Sequence, residues 1–128
     1  MRTLILAALL LAGTGLMHGQ KVNKEGAEWL SRFSEPASTN VSGDFTDKGW
    51  GKVTLTQAQG SREVTGTGDG WQITGVVSGK KVYLLFADKG KINYSAELDI
   101  ESERSLLGRY ANGMMTPKSK TRPMHLTR

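Results

Sequence analysis

The chain has 128 residues, no cysteine, and 17 Lys or Arg against 12 Asp or Glu, a formal net charge of +5 at neutral pH. Lack of cysteine excludes disulfides, thiolate catalysis and thiolate metal ligation, and the length leaves room for one modest core. The positive charge is uneven: residues 20–103 carry ten bases and twelve acids, residues 104–128 six bases and no acid.

The chain opens with Arg2 and an unbroken apolar run from Leu4 to Ala12. That run is too short to cross a bilayer and has the length of a signal-peptide core. Cleavage after Gly15 satisfies the small-x-small rule, whereas cleavage after Gly19 leaves Met17 three positions back. Residues 1–19 are therefore read as a signal peptide cut between 15 and 19, which predicts export to a bacterial periplasm or secretion. No later stretch is apolar enough to span a membrane, and no cysteine is present for a lipid anchor, so no stable membrane insertion is expected after cleavage.

Residues 20–38 read as a short helix and linker. Asn23 is placed as an N-cap, Glu25 falls in the first turn, and Ala27, Trp29, Leu30 and Phe33 gather an apolar side before Pro36 stops the helix. Trp29 and Phe33 are expected to pack on the body behind them.

From residue 39 to 128 the apolar period is two. Val41–Thr46, Lys52–Gln57, Glu63–Thr67, Trp71–Val77, Lys81–Ala87, Ile92–Glu101, Leu106–Tyr110 and Met124–Arg128 read as eight strands joined by tight turns at Asp47-Lys48-Gly49, Gly68-Asp69-Gly70 and similar sites. Ile92, Tyr94, Ala96, Leu98 and Ile100 form the longest inner row. Glycines follow an apolar residue by two in Val64-Thr65-Gly66, Ile73-Thr74-Gly75 and Leu106-Leu107-Gly108, where a missing side chain lets a strand bend. The pattern predicts an all-β fold: a small antiparallel meander closing as an eight-stranded up-and-down barrel, mostly filled inside, with the helix lying across one end.

Gly43-Asp44-Phe45 followed by Lys52–Gln57 and Val64-Thr65-Gly66-Thr67 resembles the opening strands of calycin-type meander barrels, the avidins and lipocalins. The resemblance covers residues 41–67 and implies a closed barrel with a ligand at its mouth, and a basic residue near the last strand, Arg122 or Arg128, set against Phe45 or Trp50. Gly68 stands where avidins place a biotin-contacting Tyr, so the resemblance does not extend to biotin binding.

Catalytic and metal constellations do not assemble from the sequence. His125 alternates with Met124 and Leu126 and so points outward alone; Met114, Met115 and Met124 lack the repeated spacing of a soft-metal site. Glu97, Asp99, Glu101 and Glu103 project from one face at strand spacing, too far apart to converge on a cation. Neither enzymatic activity nor a cofactor is expected. The basic segment lacks interleaved aromatics, so nucleic acid is not expected as a partner.

Two binding roles remain. In the first, Phe45, Trp50, Trp71 and Tyr94 hold a small apolar molecule at the barrel mouth. In the second, Lys118, Lys120, Arg122 and Arg128 meet an acidic protein surface, as an interaction or inhibitor module. The outward apolar residues Tyr83 and Leu85 point to a covered face, read as the contact of a homodimer.

Overall fold

The structure is a computed structural model, and it describes residues 23–128. The expected signal peptide at 1–19 lies outside the described residues.

A helix α1, Lys24–Ser31, precedes eight strands: β1 Gly43–Asp47, β2 Gly51–Gln57, β3 Glu63–Thr67, β4 Gln72–Ser78, β5 Lys81–Asp88, β6 Lys91–Ser102, β7 Ser105–Asn112 and β8 Arg122–Thr127. Each strand pairs antiparallel with the next and β8 returns to β1, closing the barrel that the period-two pattern predicts. Inward rows alternate with outward ones. Phe45, Val53, Leu55, Val64, Ile73, Val82, Leu84, Phe86, Leu98, Met124 and Leu126 fill the interior, each at most 1% exposed. Side chains fill this lumen from wall to wall, so the structure offers a mouth rather than a deep cup for a ligand.

The seam between β1 and β8 is the weakest join, with a single registered pair, Thr46 with Thr127. Side chains complete it. The Asp47 carboxylate accepts from the His125 backbone N–H at 3.0 Å. Arg128 donates to the Ser42 carbonyl at 2.9 Å and to the Glu103 carbonyl at 2.6 Å. Its guanidinium carbon lies 5.1 Å from the centroid of the buried Phe45 ring, within cation–π range.

The two barrel ends differ. At the end where Phe45 and Arg128 meet, the linker after α1 crosses the opening: Ala37 bridges Gly79, Val41 enters the core, and the Gln57 side chain accepts from Val41 N–H at 2.9 Å. Among the described residues no chain segment covers the other end in this way, and there the barrel is capped by rings.

Helix α1 begins as the sequence predicts, with Asn23 Oδ1 accepting from Gly26 N–H at 2.7 Å. It does not lie across an end, however. It packs on the outer wall, where Phe33 stacks on Tyr83 at 3.6 Å and 6°, and Trp29 meets Tyr83 edge-on at 5.8 Å. The reason is the outward apolar stripe of Val76, Tyr83, Leu85 and Ala111, which an amphipathic helix covers more completely than a barrel rim would allow. The homodimer expectation rested on Tyr83 and Leu85, and the chain's own helix and Met115 cover both. Burial first, then the charge of Glu97, pushes the Tyr83 phenol above its ordinary value.

Ile92 departs from the inner row. The ladder pairs Phe86 with Tyr94 but Ala87 with Ile92, so a bulge at Asn93 turns Ile92 to the outer wall, where it joins the α1 cluster.

Ser95 is fully buried beneath this cluster, and its hydroxyl has no hydrogen-bond partner among the described residues. An unsatisfied buried hydroxyl costs about 1–3 kcal/mol, so Ser95→Ala should leave stability unchanged or raise it by about 1 kcal/mol. Urea denaturation checks this; a loss of more than about 1 kcal/mol would mean that Ser95 has a hidden partner.

Candidate functional site

Three of the four ring residues expected at a mouth come together at the open end. Trp50 sits in the β1–β2 turn, Trp71 at the foot of β4, and Tyr94 near the start of β6; Tyr110, at the end of β7, joins them. In an up-and-down barrel every second connection falls at the same end, and that topology gathers rings separated by up to sixty positions in sequence. Trp50 is the hub, 5.1 Å from Tyr94 at 84° and 5.1 Å from Tyr110 at 85°, with Trp71 at 6.3 Å and Phe86 beneath it at 4.6 Å. Trp71 meets Tyr94 at 5.4 Å and 85°, and Tyr94 meets Tyr110 at 5.8 Å and 75°.

The rings border a recess of about 430 Å³ that also takes in Asp47, Asp69 and Pro123. All four rim rings remain half-buried, and among the described residues the indole N–H groups of Trp50 and Trp71 and the hydroxyls of Tyr94 and Tyr110 have no hydrogen-bond partner within the chain. Buried ring polar tips normally find partners; here they face water or a ligand.

Local sequence explains how Trp50 is aimed. Asp47 Oδ1 accepts from Gly49 N–H at 2.7 Å and Trp50 N–H at 3.2 Å, an Asx-type turn. Gly51 then takes φ of +74°, which returns the chain into β2. Trp71 is placed by the tight Gly68–Trp71 turn, whose N–H and carbonyl groups exchange bonds of 3.0 and 3.4 Å.

Phe45 lies elsewhere. It is fully buried in the barrel core under Arg128 and makes no ring contact with the mouth. Tyr110 was missed by sequence reasoning although its signal was present: it shares inward parity with Leu106 and Gly108 and ends that row. Asp47 and Asp69 were read only as turn residues.

The basic residues divide. Arg128 is held by Ser42 and Glu103, whereas Lys118, Lys120 and Arg122 are exposed and, among the described residues, without an ion pair. Lys120 and Arg122 line a second recess of about 300 Å³, which shares Tyr110 with the first.

His125 points outward as its parity predicts, while Met124 and Leu126 are buried. Its Nε2 lies 2.8 Å from Ser105 Oγ, and Ser105 Oγ donates to Glu101 Oε1 at 2.7 Å. A hydroxyl has one proton. With that proton directed at Glu101, the imidazole is the donor to Ser105, the reverse of the polarity by which a histidine activates a serine nucleophile. On the acidic face, Lys81 lies 3.2 Å from Glu97 and 3.3 Å from Asp99, and Arg109 lies 3.0 Å from Glu97. Partial burial opposes the Lys81 charge, but the two carboxylates outweigh it and raise its pKa. Among the described residues no group of three or more His, Asp or Glu side chains is arranged to hold a metal ion.

Recesses of about 620 and 760 Å³ flank the linker at the opposite end. Their walls are mainly short polar side chains or groups already paired, such as Ser38 on Gly79 and Lys81 on Glu97, and they offer a ligand less than the ring-lined mouth. The chain matches no protein-family model, no curated protein and no solved structure.

Proposed function

We propose that this domain is an exported, non-catalytic binding module that holds a small ligand at the open mouth of a filled barrel. The observation that carries this reading is the convergence of Trp50, Trp71, Tyr94 and Tyr110, from four separate hairpin ends, on one recess with their polar tips unpaired among the described residues. A cluster that only sealed the core would bury its rings and satisfy those tips. The calycin resemblance is supported by Arg128 lying over Phe45, the basic-on-aromatic pairing that the resemblance implies. The apolar leader supports export.

Native mass spectrometry of the protein, exported by its own leader and purified without denaturation, tests this function. The expected result is a discrete added mass that is released on denaturing and absent from a folded Trp71→Leu variant. A bare mass for the wild type, or an adduct that survives in the variant, contradicts the reading.

A second reading has its own observation: Lys118, Lys120 and Arg122, which have no ion pair among the described residues, share one exposed segment, which suits an acidic protein surface. Its mark is salt-sensitive capture of an acidic partner that is lost when all three are replaced by glutamine.

A further inference from the structure

We infer that the ligand of the mouth carries a compact organic cation, an alkylated ammonium group, seated against the rings beside Asp69. This rests on the reading of the mouth as a binding site and specifies what that site selects.

Ring geometry gives the first argument. Trp50, Tyr94 and Tyr110 stand nearly perpendicular to one another, at 84°, 85° and 75°, with centroids 5.1 to 5.8 Å apart. A flat ligand needs two nearly parallel rings as a slot; among the rim rings in contact the pair closest to parallel is Trp50 and Trp71 at 56°, and the 37° pair of Trp50 and Phe86 is already closed at 4.6 Å. A sugar face is best served by a lone flat platform, which these mutually crowded rings do not offer. Perpendicular walls suit a small rounded group that can touch several π-faces at once.

Charge gives the second argument. The described residues carry more bases than acids, yet the recess holds Asp47 and Asp69 and no Lys, Arg or His. Asp47 is engaged by three backbone N–H groups. Asp69 is exposed and has no partner among the described residues, so its carboxylate is available to a ligand. Electron-rich ring faces and a free carboxylate attract a cation and repel an anion. The basic side chains Lys120 and Arg122 line one adjoining recess, and Lys52 lines another that shares Asp69, where it makes no ion pair with that carboxylate.

Choline and 3,3-dimethylbutan-1-ol separate shape from charge, because they have the same outline and differ in a nitrogen cation against a neutral carbon. Titration of each into the full domain at fixed ionic strength, followed through the Trp50 and Trp71 indole resonances, is expected to show choline binding at least about tenfold more tightly. Asp69→Asn should weaken choline by about three- to tenfold and leave the alcohol unchanged. Because the Asp69 side chain is exposed and has no hydrogen-bond or ion-pair partner among the described residues, that variant is expected to fold normally. Equal binding of the two probes, or binding of the alcohol alone, overturns the cation while the mouth survives as a site. Failure of both probes to move either indole overturns the cation and the mouth together.

Discussion

Gly108→Val should cost about 3 kcal/mol or more, a large part of the stability of a domain of this size. Gly108 faces Leu98 across the β6–β7 ladder, inside the barrel. A Cβ at this position would overlap the Glu97 carbonyl oxygen and lie 2.8 Å from Leu98 Cα, so what must give is backbone rather than a flexible side chain. Overpacking that side chains can absorb costs about 1–3 kcal/mol; displacing a central ladder exceeds it, and a domain of this size has only about 5–10 kcal/mol in total. Gly75 is held in the same way by the Tyr83 carbonyl. Circular dichroism and urea denaturation of Gly108→Val, with Gly113→Val as a control at a loop glycine with open space around it, measure the effect. Gly113 has φ of +62°, so its control carries a smaller cost of its own from backbone strain. A Gly108→Val protein as stable as the wild type would mean that the β6–β7 approach is looser than described.

Asp47→Ala should lower stability by about 2–3 kcal/mol and abolish binding at the mouth. One carboxylate performs two tasks: Oδ1 fixes the turn that aims Trp50, and Oδ2 accepts from His125 N–H across the seam where β1 and β8 share a single registered pair. Losing a charged acceptor from such bonds costs about 1.5–3 kcal/mol, and the N–H groups it leaves are partly open to water, which limits the total. Asp47→Asn divides the roles. Its carbonyl oxygen can still accept from Gly49 and Trp50, but its amide cannot accept from His125, so binding should persist while stability falls by about 1 kcal/mol. Denaturation midpoints and ligand titrations on both variants check this. Equal loss of binding in the two would show that seam and turn are not separable.

Periodicity made the barrel legible. Alternation in β2 to β5 fixes which residues face in, and in a barrel that alone determines the core. Ile92 was misplaced because a bulge adds a residue without leaving a distinctive residue type behind; Asn93 looks like any outward polar position. The helix was legible from Asn23 and its apolar side, but its docking place was not, since the outward stripe of Val76, Leu85 and Ala111 is assembled from strands that only the tertiary fold sets side by side. The mouth was partly legible. Trp50 and Trp71 sit in turns, where rings have no local reason to be, whereas Phe45 looked equally aromatic yet its strand parity carries it into the core. Tyr110 needed the topology, because nothing in its neighbourhood marks which end of the barrel β7 finishes at. The Ser105–His125 contact likewise follows from the β7–β8 register and has no sequence mark.

The most direct test of the mouth as the binding site uses the three indole N–H resonances of isotope-labelled protein, from Trp29, Trp50 and Trp71, as internal reporters. Trp29, on the face of α1 that packs against the outer wall, serves as the reference that binding should not touch. On addition of a mixture of small ammonium and apolar compounds, Trp50 and Trp71 should shift together and saturably while Trp29 stays fixed. Movement of Trp29 with Trp50 and Trp71 unchanged would contradict the account and place the binding surface under the helix instead.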